Sequence, residues 1–219
     1  MAERDLICGI DRDVIESFLQ LVKDRYPLVD EAVFFLEGEL LDSAITTGIT
    51  NQRDVLGHLS TLLNNPDESV EKQLTHLAKA EEHFRRGYVE TYQQASALIL
   101  EQVETLFAEY KRIVPGLKDP LLASAPNVTA VDDKIRRIKQ ARREARTAKA
   151  ANHNDRGADA ADKYVDAVLQ LEDLKPKLEE YVGRARQIRE QRDSKRRDWL
   201  SIGIGITGIL FGILIAVFF

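Results

Sequence analysis

The chain has 219 residues, of which 44% are hydrophobic and 31% are charged. Residues 1–114 hold 11 basic and 21 acidic side chains, whereas 115–198 hold 20 basic and 15 acidic ones, so any polyanion-binding surface belongs to the second part. Cys8 is the only cysteine, which excludes an intramolecular disulfide framework and indicates a reducing compartment. The charged segment after Met1 also argues against a cleaved secretory signal.

The first part of the chain is predicted to be helical, because apolar residues recur at helical spacing and glycine and proline fall between the periodic runs. A first helix is expected from residue 11 or 12 to 25. Pro27 suits the first turn of a second helix that reaches about residue 45. Asn51 is predicted to cap a short third helix that ends near residue 63. No segment shows a strand pattern.

A long fourth helix is expected over residues 69–114, followed by a linker or irregular crossover over 115–130 that contains three prolines. Two further helices, over 131–151 and 158–197, are joined by a short polar turn, which predicts antiparallel neighbours. If residues whose numbers sum to 309 face each other across the two helices, six successive layers are apolar on both sides. The two helices also carry opposite net charge. The layers are 148 with 161, 145 with 164, 141 with 168, 138 with 171, 135 with 174, and 131 with 178. This pattern predicts an antiparallel coiled-coil hairpin.

The last 21 residues, from Trp199 to Phe219, contain no charged residue and no proline. As a helix they would span roughly 31 Å, which matches the hydrocarbon core of a bilayer. The overall prediction is therefore an all-α protein: an elongated helical bundle with a long central helix, the hairpin, and one C-terminal transmembrane helix. The predicted modules are an acidic bundle (1–114), the linker (115–130), the hairpin with its basic end (131–198), and the anchor (199–219).

A basic cluster directly precedes this apolar segment and predicts its orientation. Lysine and arginine next to a span favour the cytoplasmic side, and they can also contact anionic headgroups. Trp199 stands where an interfacial aromatic anchor belongs. The predicted membrane-surface residues are Arg184, Arg186, Arg189, Arg192, Lys195, Arg196, Arg197 and Trp199.

Small residues recur every three or four positions within the apolar segment and would lie along one helical face. Such a face lets two helix backbones approach closely in lipid. The predicted self-association residues are Ser201, Gly205, Gly208, Gly212 and Ala216. Tyr181, Ala185 and Ile188 continue the heptads beyond the last hairpin layer, and we expect them to need a partner, which favours parallel self-pairing.

Arg53 and His58 have the Arg-x4-His spacing of HEPN-type ribonucleases, and this short resemblance implies RNA cleavage by the pair in a helical dimer. We treat them as weak catalytic candidates. His76 and His83 lie two helical turns apart, too far to bind one metal ion without other ligands, so no metal site or cofactor is predicted. The basic helix over 134–149 lacks aromatic residues for base stacking, which argues against nucleic-acid binding.

The favoured functional hypothesis is a tail-anchored, non-catalytic helical interaction or scaffold protein on the cytoplasmic face of a membrane. The bacterial inner membrane is the expected location, and the expected partners are membrane lipid, a further copy of the chain, and a protein of unknown identity. One alternative is a self-assembling, membrane-perturbing effector of a bacterial defence type. A second alternative is the HEPN-like ribonuclease.

Overall fold

The computed structural model describes residues 6–7, 10–36, 46–65, 67–151 and 156–218. Within these ranges, the side chains of 6–7, 121, 149–151, 156–159 and 209–218 are left out of the description. In this part of the chain the long helices are α1 (Arg12–Phe35), α2 (Thr46–Asn64), α3 (Val70–Ile113), α4 (Val128–Ala151) and α5 (Arg156–Phe218). The predicted all-α class is confirmed.

The two short strands, β1 (Leu6–Ile7) and β2 (Ile10–Asp11), form a small antiparallel hairpin in which Ile7 pairs with Ile10. The prediction that no segment forms a strand is wrong here, because strands of two residues are too short to show an alternating pattern. Ile10 is almost fully buried. The hairpin leads directly into α1, where the Asp11 carboxylate accepts a hydrogen bond of 3.0 Å from the Asp13 backbone N–H and caps the helix.

Helix α1 continues through Pro27, so the predicted break between two helices at residues 25–27 is wrong. Proline inside a helix removes one backbone hydrogen bond and crowds the preceding turn. The helix nevertheless buries Phe18 before the proline and Val29 after it in the same hydrophobic cluster. This shared packing on both sides stabilises one continuous helix.

Helix α2 begins at Thr46, five residues before the predicted cap at Asn51. Asn51 lies inside the helix, where its side-chain amide donates a hydrogen bond of 2.9 Å to the Thr47 carbonyl. Gly48 lies in the first turn against neighbouring helices: a β-carbon placed there would lie 2.5 Å from Val33 Cγ2 and 2.6 Å from Thr91 Oγ1. The glycine therefore marks a close approach to α1 and α3, and it lies inside a helix, whereas the sequence pattern placed glycine between the periodic runs.

Gly48→Ala is expected to destabilise the protein by roughly 1–3 kcal/mol, because the added methyl overpacks a buried site between two β-branched side chains. Gly57→Ala is the matched control on the same helix. A β-carbon at Gly57 would meet nothing within 4 Å, so alanine there should stabilise α2 by about 0.5–1 kcal/mol. Urea unfolding of the full chain, followed by far-UV circular dichroism, checks both changes. Equal midpoints for the two variants would contradict the close approach at Gly48.

The helices form two compact units, each built from separate stretches of the chain. Unit 1 comprises residues 1–104 and 132–175, and unit 2 comprises residues 105–131 and 176–219. Their boundaries do not coincide with the predicted module boundaries at 114, 130 and 198. The predicted modules followed the chain continuously, whereas both units combine residues from the two sides of the predicted linker.

Among the described residues of unit 1, the buried apolar side chains form a larger and a smaller hydrophobic cluster. The larger one joins α1, α2 and α3, with Phe18, Val55 and Phe84 among its buried members. The smaller one joins α3, α4 and α5, and it includes Ala145 and Tyr164.

Helices α4 and α5 are antiparallel in unit 1. Near the start of α4, Lys134 Nζ lies 2.7 Å from Asp173 Oδ2, whereas near its end Ala145 packs in one cluster with Tyr164. Ile138 and Leu171, which the predicted register places opposite each other, are both fully buried. These contacts fit the predicted register and its complementary charges.

Unit 2 contains the end of α3, a short 3-10 helix at Pro120–Leu122, the first turn of α4, and α5 from Pro176 onward. Tyr110 is buried and donates a hydrogen bond to the Pro126 carbonyl, and Tyr181 donates one of 3.0 Å to the Ser124 carbonyl. Ala185 and Ile188 are buried as well. The expectation that residues 181, 185 and 188 need a second chain is therefore wrong, because their own chain contacts or covers them.

The predicted linker over 115–130 ends inside α4, which begins at Val128 and not at residue 131. The Asn127 side chain accepts a hydrogen bond of 2.8 Å from the Thr129 backbone N–H. This is the usual capping arrangement at a helix start.

Candidate functional site

The basic cluster of α5 makes several contacts within unit 2. Nε and Nη2 of Arg186 both donate hydrogen bonds to the Glu109 carboxylate, and Nε lies 2.8 Å from Oε1. This pairing lowers the pKa of Glu109 and raises that of Arg186. Arg189 and Arg192 each donate to a backbone carbonyl, of Arg112 and Lys118 respectively, at 3.4 Å. Carbonyls at a helix end lack intrahelical donors, so these arginines supply hydrogen-bond donors to backbone carbonyls at the end of α3 and in the following turn.

The predicted membrane-surface residues therefore fall into two groups. Arg184 pairs with Glu180 on its own helix, and the arginines at 186, 189 and 192 contact other segments of unit 2. Lys195, Arg196, Arg197 and Trp199 follow on the exposed continuation of α5. The structural role of the first group cannot be predicted from local sequence, because the partner of Arg186 lies 77 positions away in the chain.

From residue 189 onward, every described side chain of α5 is exposed, up to residue 208. This stretch begins polar and becomes apolar at Trp199. The large apolar side chains in it are 52–73% exposed, and they are Trp199, Leu200, Ile202, Ile204 and Ile206. At 100° per residue, these five side chains cover roughly 200° of the helix circumference, and the small residues Ser201, Gly205 and Gly208 occupy the remaining face.

Within the described part of the chain, no helical segment combines the length and the apolar character needed to cross a membrane. The predicted transmembrane helix over 199–219 stays a prediction, and it includes residues whose side chains lie outside the description.

The predicted self-association face lies partly within the described residues. Ser201 is exposed, and a β-carbon built at Gly205 or Gly208 would meet nothing within 4 Å. The side chains of residues 212 and 216 lie outside the description. The described part of this face is open to a partner, and its role in self-association stays a prediction.

A second exposed apolar row lies on α2 in unit 1. Ile49, Leu56 and Leu63 are 52%, 56% and 55% exposed. Their spacing of seven residues places them along one face of the helix. The buried face of α2, which includes Val55 and Leu62 in the core of unit 1, lies about 100° around the helix from this row.

The ribonuclease candidates Arg53 and His58 lie on α2 but make different contacts. Arg53 has a side chain that is 77% exposed and lies 3.6 Å from Asp54 Oδ1. His58 is half-buried between α2 and α3. Positions five apart are separated by about 140° around a helix, so the two side chains face different directions. The structure does not bring them together as one catalytic pair within the chain.

His58 instead joins His76 and His83 in a cluster of three imidazoles. The Nδ1 atoms of His58 and His76 are 3.2 Å apart, and the His58 ring centroid lies 5.4 Å from that of His76 and 5.3 Å from that of His83. Sequence analysis placed His76 and His83 two turns apart on one helix but could not predict that α2 inserts a third histidine beside both. The pKa of His58 is lowered, first by burial and then by the positive charge on His83, His76 and Lys79.

No group of three or more His, Cys, Asp or Glu side chains among the described residues is arranged to hold a metal ion. Comparisons with known proteins add no functional assignment: no protein-family model, no curated protein and no solved structure matches the chain. Functional inference therefore depends on the exposed end of α5, the apolar row on α2 and the histidine cluster.

Proposed function

We propose that this chain is a non-catalytic helical interaction protein, tethered to the cytoplasmic face of a membrane through residues 199–219. The observation that carries the proposal is the exposed apolar surface of α5 between Trp199 and Ile206. A helix that carries no charge and exposes large apolar side chains over more than half of its circumference is unfavourable in water, because each such side chain gains about 1.5–3 kcal/mol on full burial. Lipid is an environment that covers all sides of such a helix at once.

The sequence beyond the described side chains supports the same environment. Residues 199–219 contain no charge and no proline, and as a helix they would cover roughly 31 Å. The backbone of α5 is helical as far as Phe218. A continuous helix also satisfies its own backbone hydrogen bonds, which a segment inside lipid requires.

Lys195, Arg196 and Arg197 support the proposed orientation. All three are exposed and directly precede Asp198 and Trp199. At a membrane surface these basic side chains would meet anionic headgroups, worth about 1 kcal/mol per residue, and the indole would lie at the interface. The positive charge favours placing units 1 and 2 in the cytoplasm.

The interaction role is supported by the apolar row on α2. Three large apolar side chains on one face of a helix are a common feature of helix-mediated protein contacts. This row lies in unit 1, whereas the proposed tether belongs to unit 2. One chain could therefore hold a membrane anchor and a partner-binding surface on different units.

Cysteine accessibility tests the proposed topology. In a Cys8→Ser background, single cysteines are placed by Asp198→Cys or Phe219→Cys, and spheroplasts of a bacterial host are treated with a membrane-impermeant maleimide. We expect the cysteine at 219 to react in intact spheroplasts, and the cysteine at 198 to react only after permeabilisation. Equal reaction of both in intact spheroplasts, or the reverse order, would contradict a span with a cytoplasmic body.

A further inference from the structure

The imidazoles of His58, His76 and His83 form a contact between α2 and α3. The two Nδ1 atoms of His58 and His76 face each other at 3.2 Å. A hydrogen bond at this distance needs one nitrogen to donate and the other to accept. Because a protonated imidazole has only donors, charging both rings would place two N–H groups head to head.

The nearby carboxylates can compensate two of the three imidazoles. Glu68 Oε2 lies 3.6 Å from His76 Nε2, and Asp54 Oδ2 lies 3.8 Å from His83 Nδ1. Glu68 Oε2 is buried and has no hydrogen-bond partner among the described residues. A protonated His76 would therefore place a compensating positive charge beside this carboxylate oxygen. A charge on His58, which lies between the two other rings, is opposed by the charge of Lys79 and favoured by Asp54. Asp54 also faces His83, so among the described residues a third proton on the cluster has no separate carboxylate to pair with.

The direction of the pH effect follows from His58. Its pKa in the folded protein is lowered from the ordinary value of 6.5 by burial, His83, His76 and Lys79, in that order. The folded state consequently binds fewer protons than the unfolded state near this pH. Stability from this group is fully present above pH 6.5 and is lost as the pH falls below that value toward the folded pKa.

We propose that the cluster of His58, His76 and His83 is a pH-sensitive contact that loosens the packing of α2 against α3 in mildly acidic conditions. Helix α2 buries Val55 and Leu62 in the core of unit 1, so loosening it would expose apolar surface beside the existing row on α2. This inference is independent of the proposed membrane tether and holds whether or not the chain spans a bilayer.

Amide hydrogen exchange of the full chain in detergent micelles, read by mass spectrometry at pH 7.5 and pH 5.5, tests the proposal. After correction for the intrinsic exchange rate, protection of peptides from 46–64 should fall at least about twofold more than protection of peptides from 160–175. In His58→Gln the extra loss should be under about twofold, because the glutamine cannot be charged. The matched control is His153→Gln, outside the described residues, which should behave as the unmodified chain.

Two outcomes would overturn the proposal: an α2 whose protection is independent of pH in the unmodified chain, or the same pH dependence in His58→Gln. A second measurement does not depend on how any variant folds. In the unmodified chain, nuclear magnetic resonance titration of the histidine Cε1–H groups should show at least one imidazole with a pKa below its ordinary value of 6.5. Titration of every histidine at or above that value would also overturn it.

Discussion

Replacing Leu171 by aspartate is expected to unfold unit 1. Leu171 is fully buried on α5, and the hairpin register places it opposite Ile138, which is also fully buried. Removing a buried leucine side chain costs about 2–5 kcal/mol, and burying a carboxylate without a partner adds several more. This total is comparable to the entire stability of a typical domain, about 5–15 kcal/mol. Far-UV circular dichroism of the full chain should show a large loss of helix at 25 °C.

Leu169→Asp is the matched control, because it makes the same chemical change two positions away on the same helix. Leu169 is 52% exposed, so its aspartate stays hydrated and should change the free energy of unfolding by less than about 1 kcal/mol. Similar circular dichroism spectra and urea midpoints for the two variants would show that residue 171 does not lie in a packed layer.

The helices with the strongest periodicity were predicted well from the sequence. Helix α3 was expected over 69–114 and is found at Val70–Ile113, because a regular apolar spacing over many turns leaves little choice of structure. The facing apolar residues of α4 and α5 likewise predicted burial of Ile138 and Leu171. Such patterns are local, and local sequence is sufficient to reveal them.

The errors in the first part arose where contacts distant in sequence override local signals. Pro27 and Gly48 usually mark helix boundaries, yet here both lie inside helices. Packing of Phe18 and Val29 in one cluster explains the first case. The close approach of Gly48 to Val33 and Thr91 explains the second, and no local pattern contains this information.

The candidate sites show the same limit. The apolar character of the segment from Trp199 onward can be read directly from the sequence. The histidine cluster cannot, because His58 reaches His76 from another helix. The bond between Arg186 and Glu109 is equally non-local, and it assigns an intramolecular role to an arginine that charge counting alone places at the membrane surface.

Aspartates in the apolar segment are expected to release the protein from membranes. Each aspartate near the centre of a membrane helix costs roughly 2.5–3.5 kcal/mol, so Ile206→Asp with Ile209→Asp should cost about 5–7 kcal/mol of membrane insertion. A variant lacking 199–219 should lose the tether completely. The control is Ile49→Asp with Leu56→Asp, which introduces the same two charges at exposed apolar positions of α2.

Flotation of lipid vesicles on a density gradient after carbonate washing measures this difference most directly. We expect the unmodified chain and the α2 control to float with the vesicles, whereas the double aspartate variant and the truncated chain stay at the bottom with native helical circular dichroism. If the double aspartate variant or the truncated chain floats as the unmodified chain does, residues 199–219 are not the membrane tether.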